Sequence, residues 1–526
     1  MKKKSIIFSL LAGITLVFST PACTDLDENV YDKLPAEDFG GTMVEINALM
    51  GSTYNTLKKY WPDRFLYLSE CGGSMAVTPT RTGGDWYDGG QYREFYMHTW
   101  TAQTSQIKGS WTGATSSIGI CNSTIYMLEN SELLTEDDKR TYIASMRGVR
   151  AFWIYVMMDY WGNFPLEVQY EPVDKQIPEM SSRQEIFDWL ITEITEITEN
   201  CPDASDKTYG KFTKGSAYTL LAKLYLNAEA WGVNVSGNAY EKCIEACDKV
   251  MSMNYYVIEP DWKINFNLEN DKSREAILSI CFSNLDTEDQ NQMMNRTLHY
   301  ADNQSEKANY SSWNGICAQP DYVNLFDKED PRYEGSFRIG LRFHAETGDT
   351  LKTGQNDPLD YKVDFGFIPN TEFDGTPWGA VVQEAGARCQ KWDYAEGLTD
   401  AMGNHFHIFR LADVYLMKAE ALLRSGGSAT EATRLVNEIR ERAYGNADKN
   451  YDMVDLEKIA LERKFEFAWE AWSRQDDIRF GTFDKGAWSA SNCPRSTGEH
   501  LKLYPISQDA WQTNQNLKQN PGYAAF

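Results

Sequence analysis

The chain has 526 residues, a formal net charge of −25 at pH 7 and 24% charged residues. That length admits one large or two ordinary domains. The acidic balance argues against nucleic acid as a partner, which needs clustered Lys and Arg, and suits solubility and uncharged ligands.

Residues 1–22 read as a secretory leader. Lys2, Lys3 and Lys4 precede an apolar run, Ile6–Phe18, that is too short to span a bilayer. The run ends at Thr20-Pro21-Ala22-Cys23, so Cys23 is the expected lipidated first residue of the mature chain. Stable anchoring takes more than one acyl chain. The nine cysteines after Cys23 are scattered and odd in number, with no CxxC pair, which argues against a zinc site. Cys243 and Cys247 fall on the apolar face of a predicted helix as buried free thiols.

After a tether at 23–40, periodicity predicts a helix over Val44–Lys58. Residues 61–112 hold no sustained helical period and are rich in Gly, Thr and aromatics, so they are expected to form a long ordered loop region. Helical pairs resume at Gly113–Asn130 and Glu136–Trp161, then at Ser182–Glu199 and Gly215–Ala230, with a shorter helix at Tyr240–Met251. The stretch FWIYVMMDYW is apolar nearly all round and should be central, with Gly162 as its stop. AILSICF (276–282) is strand-like. Residues 284–404 lose the rhythm again, with Tyr300, Tyr310, Trp313, Trp378, Trp392 and Tyr394 set among Asn, Asp, Gly and Thr.

The period returns at HFHIFRLADVYLMKAEALLRSGG (405–427). Gly426 and Gly427 stop that helix, Ser428 and Glu431 read as a capping box, and a second helix buries Ala432, Leu435, Val436, Ile439 and Ala443. The pair resembles a tetratricopeptide repeat. A third helix starts near Leu456. The runs RLADVYLMKAEALLRSG, NEIRERA (437–443) and ERKFEFAWEAWSRQDDIRF (462–480), with RAFWIYVMMDYWGNFPL (150–166), LYPIS (503–507) and NPGY (520–523), resemble the RagB/SusD family of glycan-capturing surface lipoproteins.

The resemblance implies a mostly α-helical, tetratricopeptide-like superhelix carrying a long irregular insertion. One SusD-like domain would span 41–526, with scaffold at about 41–260 and 405–526 and the glycan-facing insertion at about 261–404. It also implies a lipid anchor at Cys23 on the outer membrane, exposed at the cell surface, and a SusC-like TonB-dependent transporter as partner. A neutral glycan is held by aromatic rings laid on its C–H faces and by polar groups bonding its hydroxyls. In PTRTGGDWYDGG (79–90), two glycine pairs bracket Asp85-Trp86-Tyr87, a turn suited to presenting Trp86, with Arg81 and Asp85 bonding hydroxyls. Trp313, with Tyr300 and Tyr310, is the expected second arm, and the family pattern adds Arg388 as a hydroxyl-binding arginine.

Other chemistries are weaker. Glu462, Glu466 and Glu470, four apart, would share one helix face rather than flank a glycosidic bond, and Arg463 and Lys464 beside them indicate a salt-bridged structural helix. His405 and His407 alternate and mark the approach to a helix, not a metal pair. DTEDQN (286–291) has oxygen ligands but not the full calcium-loop pattern. No nucleotide-binding glycine loop or GxSxG turn is present. The expectation is a non-catalytic glycan-binding lipoprotein needing no cofactor. The competing classes are a helical-repeat module binding protein or peptide, and an α-helical glycoside hydrolase.

Overall fold

The computed structural model describes residues 40–170, 177–283, 285, 291–370, 376–399, 402–484 and 495–526. The leader, Cys23, Cys493 and most of the acidic string at 286–291 lie outside them.

Helix α1 (Met43–Tyr60) opens with a reciprocal cap between Thr42 and Glu45. It does not give way to a loop as the composition suggested. The backbone continues through two π-helical turns, Trp61–Phe65 and Tyr67–Cys71. Trp61, Phe65, Tyr67 and Leu68 are buried there, Trp61 against Phe152 and Trp472 and Phe65 against Trp153. A short α2 (Gln91–Met97) follows, and α3 begins at Ser105, eight residues before its predicted start, and runs to Glu129. Helix α4 (Glu136–Trp161) is the core of the scaffold. Its Thr135 cap accepts from Asp138 N, and every residue from Ala144 to Trp161 except Arg147 is buried. Gly162 ends it at φ +76°.

Helices α5 (Arg183–Thr198), α6 (Lys214–Trp231) and α7 (Ala239–Met251) then pack in sequence as the periodicity predicts. Cys243 and Cys247 are buried and free on α7. Strand Ala276–Ile280 pairs antiparallel with Phe406–Arg410, which joins the two halves of the helical scaffold across the intervening segment. His407 lies on that strand, its Nδ1 hydrogen-bonded to Ser279 Oγ at 2.8 Å.

Between these strands the chain is irregular, with short helices α8 (Met293–Thr297), α9 (Pro320–Val323) and α10 (Pro331–Ser336) and two-stranded ribbons. Helices α11 (Leu411–Arg424) and α12 (Ala429–Tyr444) form the expected pair, and α11 also packs on α7. Ser428 caps α12 through Glu431 N, but the Glu431 carboxylate pairs with Arg434 and does not return the cap.

Helix α13 (Leu456–Phe467) ends before Glu470, so the three glutamates do not share a helix face. Trp469 (φ +70°) and Ala471 (φ +67°) adopt left-handed backbone that non-glycine residues rarely take, and they turn Glu470 back into the core. Helix α14 (Ser473–Arg479) follows. The tail closes on α4: Tyr504 N donates to Tyr160 O, Trp161 Nε1 to Pro505 O, and Asn520 Nδ2 to Trp161 O.

The glutamates are structural, but Arg463 and Lys464 are not their partners. Arg463 pairs with Asp413 and Asp476, and Lys464 with Asp477. Glu466 is met by Arg332 at 2.9 Å, Arg410 at 2.6 Å and Arg442 at 2.5 Å. Arg410 also reaches Glu275 at 2.8 Å and Glu470 at 2.7 Å. Lys391 joins Glu470, Arg440 joins Glu462, and Arg332 joins Asp330 and Glu462. Burial pushes the Glu466 carboxyl up, but Arg442, Arg410 and Arg332 outweigh it and hold it well below the usual range.

Removing one member strands buried charge. Arg410→Ala is expected to destabilise the protein by about 3–5 kcal/mol, read by urea denaturation. A second prediction concerns Glu70, buried in the π-helical segment with Oε1 accepting from Trp472 N at 3.0 Å. Burial lifts its carboxyl from 4.5 to about 8. The folded state therefore keeps a proton that the unfolded chain releases above 4.5. Stability from this group is full below about pH 4.5 and declines as pH rises towards 8. Glu70→Gln should flatten the stability loss between pH 5 and pH 8, measured by denaturation at both.

Candidate functional site

Loop 79–90 is wound by unusual backbone. Gly83, Gly84, Gly89 and Gly90 all have positive φ, and so do Trp86 (+61°) and Asp88 (+41°). A tryptophan in this region is strained, and such strain persists only where the surroundings over-determine it. They do so here. Arg81 N donates to Asp85 O at 2.8 Å and Gly84 N to Arg81 O at 2.9 Å, closing the turn. Trp86 Nε1 donates to Trp313 O at 2.6 Å, and its ring meets Tyr92 edge-on at 5.2 Å. Behind it lies Gly315, where a Cβ would come within 2.5 Å of the indole. The indole is thus fixed along one edge and half-exposed.

The second arm comes from residues 299–314. Tyr300 rests on His299 with ring centroids 3.8 Å apart. Trp313 N donates to Asn295 O, and the Arg296 guanidinium lies 5.7 Å from the Trp313 ring centroid. Asn314, also left-handed at φ +56°, donates Nδ2 to Gln383 Oε1 at 2.7 Å. The two arms flank an open cavity of about 730 Å³ lined by Thr82, Gly83, Asp85, Trp86, Asp88, Tyr300, Ser311, Ser312, Trp313, Gln355 and Gln383. Four sequence-predicted residues, Asp85, Trp86, Tyr300 and Trp313, therefore meet in one place although more than 200 positions separate the arms.

Three others are elsewhere. Tyr310 is half-buried and does not line the cavity. Arg81 is fully buried, with Nε on Asn314 O at 3.1 Å, Nη1 on Ala385 O at 2.6 Å and Nη2 on Gly315 O at 3.0 Å. Arg388 is fully buried as well, with Nη2 on Asn314 Oδ1 at 2.8 Å and its guanidinium 4.8 Å from the Tyr361 ring centroid. Both arginines hold the cavity's supporting backbone and do not reach a ligand's hydroxyls directly. Sequence reasoning missed Thr82, Asp88, Ser311, Ser312, Gln355 and Gln383, small polar residues whose type carries no signal until the fold brings them together.

A layer behind Tyr300 fixes it. Asp302 is buried and accepts from Arg338 at 3.2 Å, Arg342 at 3.1 Å, Ser305 at 2.6 Å and Tyr361 Oη at 3.0 Å. Burial raises its carboxyl, but Arg338 and Arg342 prevail and lower it. Tyr361 Oη in turn accepts from His299 N at 2.8 Å.

The cavity can stack rings on a flat apolar face and bond hydroxyls through carboxylates, amides and hydroxyls. Its two carboxylates, Asp85 and Asp88, rise from the same loop, and no acid faces them from the opposite wall among the described residues. Hydrolysis of a glycosidic bond needs carboxyls on both sides of it. A second cavity of about 500 Å³ lies between α1, α4 and residues 202–211 and 279–281, and shares no residue with the first. Two of its tyrosine hydroxyls are engaged by protein: Tyr54 Oη accepts from Phe212 N, and Tyr209 Oη donates to Asn270 O. Among the described residues, no cluster of His, Cys, Asp and Glu could hold a metal ion.

Comparison with known proteins gives a consistent picture. The SusD family model matches residues 274–523. The starch-binding protein SusD of Bacteroides thetaiotaomicron is 25% identical over 439 residues, 76% of each chain. A SusD-like protein of Bacteroides ovatus is 24% identical over 490 residues, 89% of this chain and 81% of its own. Among solved structures, a laminarin-binding SusD-like protein superposes with a TM-score of 0.70 at 20% identity, over 91% of this chain and 99% of that one. Surface glycan-binding protein A from Bacteroides uniformis gives 0.72 at 18% identity over the same shares. These structures share the tetratricopeptide-like helical fold, and the family model and the curated relatives both match the chain to the SusD/RagB family.

Proposed function

We propose that this protein captures an oligosaccharide or polysaccharide in the cavity between Trp86, Tyr300 and Trp313, without cleaving it. The observation that carries the reading is the convergence of these three rings with Asp85 from two distant segments. SusD-family relatives named for starch and laminarin support the ligand class, and the family is one of non-catalytic carbohydrate binders. Asp85, Ser311, Gln355 and Gln383 surround the rings with hydroxyl-bonding groups. Such a site binds with modest affinity, because sugar hydroxyls must give up water to be held. Reversible capture suits a protein that passes its ligand on.

We further propose that it is tethered to the outer membrane through lipid on Cys23 and hands its glycan to a SusC-like TonB-dependent transporter. No helix among the described residues is long and apolar enough to cross a membrane. A tripartite leader ending at Cys23 supplies the alternative attachment.

Affinity electrophoresis of residues 24–526 against a polysaccharide panel tests the site. One polysaccharide should retard the wild type. Trp86→Ala and Trp313→Ala should each weaken that retardation about tenfold or more, as loss of a ring at the centre of a site does. Retardation unchanged in both variants would place the site elsewhere, and a panel without any hit would favour a peptide or other nutrient. For the anchor, Cys23→Ser should move the full chain from the membrane fraction to the soluble fraction and abolish palmitate labelling.

A further inference from the structure

The second cavity, between α1, α4 and residues 202–211 and 279–281, has no part in glycan capture, and its walls differ in kind from those of the first. Met50, Met146 and Ile280 line it together with three tyrosines, Tyr54, Tyr142 and Tyr209. The hydroxyls of Tyr54 and Tyr209 are bound within the protein, 3.0 Å from Phe212 N and 3.2 Å from Asn270 O. What these two tyrosines offer the cavity is therefore ring surface.

Gly51 keeps the space open. It lies in the middle of α1, half-buried, and lines the cavity. Glycine at such a position weakens a helix, because it frees the backbone of the unfolded chain. A left-handed backbone or a crowding neighbour would account for it, and neither is present. Its backbone is helical, and a Cβ built on it meets no atom within 4 Å. Other helical glycines are crowded: a Cβ on Gly113, Gly148 or Gly215 would come within 2.8 Å of a tyrosine or phenylalanine ring. Gly119 also has room, but it is exposed. A side chain at position 51 would fill the cavity instead.

Charge selects the ligand's sign. The chain has 76 acidic and 51 basic residues. Yet the charged residues lining this cavity are Lys58 and Lys211, and no Asp or Glu lines it among the described residues. Lys58 Nζ lies 5.4 Å from the ring centroid of Phe282, next to the strand wall, and Lys211 comes from the 202–211 segment. An apolar space of about 500 Å³ with a few polar groups is of the size and make-up that holds a small organic molecule. Ring and thioether walls favour flat aromatic surfaces. We infer that this cavity binds a small aromatic acid, its ring system laid against Tyr54, Tyr209 and the methionines and its anionic group drawn by Lys58 and Lys211. The site shares no residue with the glycan cavity, so the inference stands whether or not that cavity takes a sugar.

The test is fluorescence titration of residues 24–526 with anilinonaphthalene sulfonate, an aromatic anion whose emission rises in apolar surroundings. The wild type should bind the dye saturably and release it to naphthoate. The uncharged naphthamide should compete about tenfold less well. Gly51→Phe should lose dye binding with no fall in its thermal midpoint. Lys58→Gln combined with Lys211→Gln should remove the advantage of naphthoate over naphthamide. Trp86→Ala should bind the dye as the wild type does, which separates this site from the glycan cavity. Should Gly51→Phe fail to fold, wild-type crystals soaked in bromonaphthoate replace it, with an anomalous peak expected between Tyr54 and Tyr209. No saturable binding, binding unchanged in Gly51→Phe, equal competition by the amide, or a soaked peak confined to other places would overturn the inference.

Discussion

The structure depends on a balanced knot of buried charge. Arg410 stands where strand Phe406–Arg410 becomes α11, and it reaches Glu275 at the edge of the paired strand as well as Glu466 and Glu470 beyond it. Arg442 brings in α12, while Arg332 and Lys391 bring in the irregular segment. Charges so desolvated are not tolerated singly, because each carboxylate is affordable only while its guanidinium partners are present. The contacts therefore form together or not at all. This makes the knot a register device: it fixes which parts of the irregular segment meet which helices, a specification that apolar packing alone leaves looser.

That registration carries through to the cavity. Arg332 precedes the pairing of Phe337–Arg338 with Arg388–Cys389, and Lys391 follows it. From this ribbon Arg338 reaches Asp302, and Arg388 reaches Asn314 and Tyr361. Asp302 and Tyr361 then hold His299, on which Tyr300 lies. The path from scaffold to ring is a chain of hydrogen bonds and ion pairs between buried groups. Tyr300 and Trp313 are thus presented by irregular backbone that is nevertheless rigidly backed, and the strain in Trp86 and Asn314 is borne by the same backing. A ligand meeting preformed rings does not have to organise them, and this offsets part of the desolvation of its hydroxyls.

The sequence revealed the parts of this arrangement that repeat. Apolar spacing located α1, α4, α5, α6, α7, α11 and α12 because each buries a face at helical period, and Thr135 and Gly162 marked the ends of α4. The π-helical turns after α1 were illegible, since their five-residue hydrogen bonding breaks the period while burying all but Asp63 and Arg64. The glutamates of α13 were legible as structural, but their partners were not. Arg332, Arg410 and Arg442 lie 24 to 134 positions from Glu466, and spacing along one helix cannot reveal them. Trp86 and Asp85 stood out because glycine pairs flank them in an aperiodic stretch, Trp313 and Tyr300 followed from the family resemblance, and the fold brings the four to one cavity. Arg81 and Arg388 were misread for a related reason: an arginine in a glycan loop looks like a ligand, and only the fold shows its donors turned inward.

This division separates what must be kept from what can vary. The charge knot and α4 set the backbone. Beyond its rings and Asp85, the cavity is lined by Thr82, Asp88, Ser311, Ser312, Gln355 and Gln383. Ser312 and Gln383 are buried and Gln383 accepts from Asn314, whereas Thr82, Asp88, Ser311 and Gln355 reach the surface and are replaceable without touching the core. Ring stacking tolerates many sugars, so discrimination between them falls to these replaceable groups and to the loop geometry that places them. A scaffold of this kind can change its ligand through a few surface positions while its backbone stays the same. Identities near 20% alongside TM-scores of about 0.7 over nine-tenths of the chain show the fold persisting through wide sequence change, as long-range pairing of a limited set of buried groups allows.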